Sequence, residues 1–72
     1  MTLRLQKFTP IDRDYPIIEI IDEGGAVLLD ISRNDGGELE MAFHPAIANR
    51  VLAYDDWISL VEQAKTRALH EE

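Results

Sequence analysis

The 72-residue chain contains no cysteine, which excludes a disulfide framework and any thiolate metal centre. Apolar runs are short, and Glu19 and Asp30 interrupt the longest of them; a membrane-spanning helix needs about 20 apolar residues in succession. The start, Met1 to Lys7, has no extended apolar stretch behind it, so no secretory signal is expected and the cytoplasm is the expected compartment. Three prolines and four glycines are too few for a linker or a low-complexity tract. Basic residues are also scarce: 7 Lys and Arg stand against 14 Asp and Glu, for a net charge of −7. A field of that sign repels phosphate backbones and anionic lipid and attracts basic surfaces.

What is present is an ordinary globular composition, 46% hydrophobic and 29% charged. The length points to a single domain, residues 1–72. Such a domain buries only roughly 60% of the surface its unfolded chain exposes, so its core is thin. The acidity is concentrated. Residues 17–43 carry seven acids against Arg33 alone, whereas residues 1–16 carry Arg4, Lys7 and Arg13 against two acids.

Residues 16–31 set two β-branched runs around Gly24-Gly25. Glycine takes the positive φ that tight hairpin turns demand, so a hairpin is expected here. Ser32 to Gly37 are turn formers, and Glu38 to Phe43 alternate polar and apolar, as a strand with one buried face does. A weaker alternation over Leu3 to Phe8 gives a fourth strand. The segment 44–52 reads either as a helical turn or as a loop leading to an extended piece. From Asp55 the period changes: Trp57, Leu60, Val61, Ala64 and Ala68 form one helical stripe. Asp55 and Asp56 suit the positive end of that helix, and Lys65 and Arg67 its negative end. The expected fold is α+β: a three- to four-stranded antiparallel meander, with strands about 3–8, 17–22, 26–31 and 38–43. One carboxy-terminal helix, about 55–70, packs on one face.

Closing the hairpin symmetrically on Gly24-Gly25 puts Ile18 opposite Ile31, Glu19 opposite Asp30 and Ile20 opposite Leu29. Setting Ile31 against Leu39 and Leu29 against Met41 then collects Ile18, Ile20, Val27, Leu29, Ile31, Leu39, Met41 and Phe43 on one face under Trp57. A slip of one residue would turn this set outward. The other face holds Ile17, Ile21 and Leu28 around Glu19, Asp30 and Glu40. It is too apolar to be simply wet, so either loops such as Ile11–Tyr15 or a partner should cover it. These six residues are the candidate partner-binding set. The register also makes Glu19, Asp30 and Glu40 a row of like charges, which destabilises a sheet unless compensated. Arg4, on the neighbouring strand, is the expected counter-charge for Glu19.

No catalytic constellation is visible. His44 precedes a proline at a strand end, His70 lies near the terminus, and Ser32 and Ser59 have no evident base. Neither glycine pair opens a helix, so neither cradles phosphate. Asp30, Ser32 and Asn34 match the first three ligand positions of a calcium-binding EF-hand loop. Asp35 then stands where its glycine belongs, Met41 where its closing glutamate belongs, and strands flank it in place of helices. No catalytic residue, metal ligand or cofactor is expected. The reading that follows is a non-enzymatic, acidic interaction module that self-associates, a homodimer being the simplest form, and binds a basic protein surface. A nucleic-acid-associated module would instead need Arg4, Lys7 and Arg13 to form a basic patch. A small enzyme or metal-binding protein would need carboxylates converging on His44.

Overall fold

A computed structural model describes residues 2–70. Four strands, β1 (Arg4–Phe8), β2 (Ile17–Ile21), β3 (Val27–Arg33) and β4 (Leu39–Phe43), form an antiparallel meander in the order β1-β2-β3-β4. A short 3-10 turn at Pro45–Ile47 resolves the ambiguous segment as a turn, and the helix α1 (Tyr54–His70) follows. The α+β architecture is as expected, with α1 packed on β2 and β3.

The helix-side core is small and dry. Ile18, Ile20, Leu29, Ile31, Ala64 and Ala68 are buried, with Leu3, Leu5, Trp57, Leu60 and Val61 packed around them. Ala64 and Ala68 have no exposed surface; their small side chains let the helix lie close to the isoleucines of the sheet. Trp57, expected to be largely buried against the sheet, is only partly buried and packs against the margin of the core.

Both hairpins close by one device. In Asp22-Glu23-Gly24-Gly25-Ala26 the Asp22 carboxylate accepts from the amides of Gly24 and Ala26, each at 2.9 Å. In Asn34-Asp35-Gly36-Gly37-Glu38 the Asn34 side-chain oxygen accepts from Gly36 at 2.9 Å and Glu38 at 3.1 Å. The second glycine of each pair is left-handed, Gly25 at φ 87° and Gly37 at φ 82°. The turns are therefore three-residue loops with a left-handed glycine, and the expected symmetric closure on Gly24-Gly25 is not what forms. A β-bulge between Ile20 and Ile21 absorbs the extra residue. It restores Ile20 opposite Leu29, Glu19 opposite Asp30 and Ile18 opposite Ile31, while pairing Val27 with Ile21, off the helix-covered face.

Strand β4 departs from the expected register by two residues. Met41, not Leu39, faces Ile31, and Phe43, not Met41, faces Leu29. A shift of two keeps every side chain on its face, so the apolar set still lies on the helix side. It is not buried there: Leu39, Met41 and Phe43 are 37%, 47% and 67% exposed. A helix about 10 Å across covers little more than two strands spaced about 4.8 Å apart. Placed over β2 and β3, α1 does not reach across β4.

Candidate interaction surfaces

The second face of the sheet is covered at its two ends by the chain itself, while its outer strands stay exposed. At one end Arg13 donates to the backbone oxygen of Arg33 at 3.1 Å and approaches the Ser32 hydroxyl at 3.4 Å. Tyr15 lies 3.9 Å beneath the Arg33 guanidinium. At the other end the β3–β4 ladder extends to His44, whose amide donates to the oxygen of Leu28 at 3.0 Å, and the 3-10 turn after it packs against β3. Arg50 donates to Asp22 at 2.5 Å and to the oxygen of Ala46 at 3.0 Å. Ile21 and Leu28 are consequently buried, at 1% and 0%, and Ile17 is partly covered. Ile21 and Leu28 do not form the open apolar patch expected of them. Of the loop cover expected from residues 11–15, Arg13 reaches Ser32 while Ile11 stays fully exposed, and the 44–50 segment adds to the cover.

Asp22 ties this cover together, being itself buried. Its carboxyl is held below the ordinary 3.8, first by the Ala26 amide and then by the Arg50 side chain and the Gly24 amide, with burial opposing them.

The three carboxylates do not form the expected row. Glu19 faces Asp30, but Asp30 faces Ala42, and Glu40 faces Ser32. Each also has its own hydrogen-bond partner. Gln6, not Arg4, stands opposite Glu19 and donates to it at 3.1 Å, while Arg4 stands opposite Ile21. His44 Nε2 lies 2.7 Å from Asp30 Oδ2, and Asn34 donates to Glu40 at 2.6 Å. The partners of these carboxylates are a histidine and two side-chain amides rather than Lys or Arg, so a search of the sequence for opposite charges does not find them.

His44 and Asp30 make an ion-pair-like contact, but Ser32, the hydroxyl nearest in sequence, interacts with Arg13. Among the described residues, no three His, Cys, Asp or Glu side chains are placed to hold a metal ion. Arg4 and Lys7 point to opposite faces of β1, since successive strand residues alternate, and Arg13 is engaged in the loop. The three do not converge on one patch within a single chain. An open groove of about 600 Å³ between the start of β1 and the start of α1 is lined by Leu3, Leu52, Trp57 and Leu60, with Asp56 the one charged side chain among the described residues that line it.

The other prominent surface is β4, all five residues of which are exposed. The ladder shows which way its backbone points: Glu38 accepts from Asn34 at 2.8 Å, and His44 donates to Leu28. Even-numbered residues therefore face β3, and by alternation the N–H and C=O groups of Leu39, Met41 and Phe43 point away from the sheet. These same residues carry the apolar side chains of the helix-side strip. The groove beside Leu3 places Asp56 and Leu60 on the β1 side of α1. By helical spacing, Tyr54, Ile58 and Leu69 occupy the flank toward β4, and all three are exposed.

Among protein-family models, curated proteins and solved structures, no match to this chain is found. Among the described residues, no helix is long and apolar enough to cross a membrane.

Proposed function

We propose that this chain is a non-enzymatic interaction module that associates with itself along β4 and offers its acidic surface to a basic protein. The observation that carries the reading is the edge strand β4. Leu39, Met41 and Phe43 combine exposed apolar side chains with outward backbone groups, the pattern that proteins without a use for an edge blunt with charge, proline or a bulge. The opposite edge, β1, carries Lys7 on its helix side, with Thr9 and Pro10 just beyond its end. The net charge of −7 supports a basic partner.

Salt separates the two contacts. Screening strengthens association between like-charged copies and weakens association with a basic protein. In an extract of the native cell, immobilised wild-type protein is expected to retain basic proteins at low salt and release them at high salt. A second, untagged copy is expected to be retained better as salt rises. If the extract yields only what an unrelated domain of equal charge retains, the basic-partner reading fails; if no copy is retained at any salt, self-association fails.

A further inference from the structure

We infer that the occupant of β4 is β4 of a second copy, running antiparallel and centred on Met41. The inference rests on the reading of β4 as the working edge and specifies its geometry. Two constraints select the register. Hydrogen-bonded pairs across an antiparallel junction need outward backbone groups on both strands, and here those belong to Leu39, Met41 and Phe43. A slip of one residue would set inward groups against outward ones and turn one strip to the wrong face.

Centring on Met41 sets Leu39 against the partner's Phe43, Met41 against the partner's Met41 and Glu40 against the partner's Ala42. The whole apolar strip is used, and each glutamate meets an alanine. Centring on Glu40 would place two glutamates opposite each other, which destabilises a sheet. Centring on Ala42 would leave Leu39 unpaired. The two-fold arrangement is isologous and closes on itself, producing a continuous eight-stranded sheet with both helices on one side. Tyr54 and Ile58 of each copy then border the joined strip. A junction of five-residue strands is smaller than a standard protein interface, so the dimer dissociates on dilution.

The absence of cysteine makes the geometry directly testable. Across a hydrogen-bonded antiparallel pair the Cα atoms are about 5.5 Å apart, within disulfide reach. Residue 39 and its counterpart would be about 14 Å apart at about 3.4 Å of rise per residue. Under mild oxidation Met41→Cys is expected to form covalent dimers at least tenfold faster than Leu39→Cys or Lys7→Cys. A mixture of Leu39→Cys and Phe43→Cys chains is expected to cross-link to each other faster than either does alone. Wild-type protein should sediment as a concentration-dependent dimer, and Met41→Lys as a folded monomer, since Met41 is half-exposed within one chain. Dimers that cross-link equally at all positions would overturn this interface while leaving self-association standing. A wild-type monomer at millimolar concentration would overturn both.

Discussion

Ile20 and Phe43 lie on one face of one sheet, and the reach of a single helix separates their energetic roles. Ile20 has no exposed surface and faces Leu29 beneath α1. Truncating it to alanine removes three buried carbons, worth about 2.4 kcal/mol of transfer free energy at about 0.8 kcal/mol each. A partly relaxed cavity raises the expected loss to about 3–4 kcal/mol. For a domain of this size the whole stability is on the order of 4–11 kcal/mol, so Ile20→Ala leaves a marginal fold. Phe43 is the larger side chain, yet it is 67% exposed. With about a third of its burial term at stake, Phe43→Ala is expected to lose about 0.5–1 kcal/mol. Urea unfolding at low micromolar concentration, followed by the fluorescence of Trp57, measures both. A Phe43→Ala loss equal to or greater than that of Ile20→Ala would mean that β4 belongs to the monomer core, refuting the partial cover by α1.

Gly25→Ala and Gly37→Ala each force a side chain into left-handed backbone with open space around it, so each is expected to lose about 1–2 kcal/mol from conformation alone. Being in separate hairpins, their effects should add in the double variant, as denaturant midpoints will show. Ala64→Leu is expected to lose about 1–3 kcal/mol by overpacking the contact between α1 and β2–β3, measured by thermal unfolding. Acidification should destabilise the fold through Asp22. Its carboxyl is lowered on folding, so ionised Asp22 contributes stability above its unfolded value, near 3.8, and that contribution disappears as pH falls through the lower folded value. Denaturant titrations below pH 4 should therefore show a decline that is smaller in Asp22→Asn.

The parts of this fold written in periodic patterns were legible in the sequence. Ile17 to Ile31 gave the first hairpin and three correct cross-strand pairs, and the stripe from Trp57 to Ala68 gave the helix. Strand β4 takes the face that its alternation indicates but pairs two residues away from the expected register, because a shift of two leaves the burial pattern of Leu39, Met41 and Phe43 unchanged. Alternation reports which face a residue takes, and is silent on whether anything reaches that face; hence the same three residues were expected in the core. The contacts that close the second face join residues far apart in sequence, such as Arg50 with Asp22 and His44 with Asp30. No period links them. A local signal was available at the turns: Asp22 and Asn34 each stand two residues before a Gly-Gly pair, the place for a side chain that caps the turn.

The claim that β4 is the working edge is tested most directly by amide hydrogen exchange, residue by residue, at two protein concentrations. In dilute solution Leu39, Met41 and Phe43 are expected to exchange rapidly because their amides point outward, while Glu40 and Ala42 are protected by β3. On concentration the first three should become protected and the other two should change little. Fast exchange at Leu39, Met41 and Phe43 that is unchanged at millimolar concentration, or protection that instead grows along β1, would contradict the account.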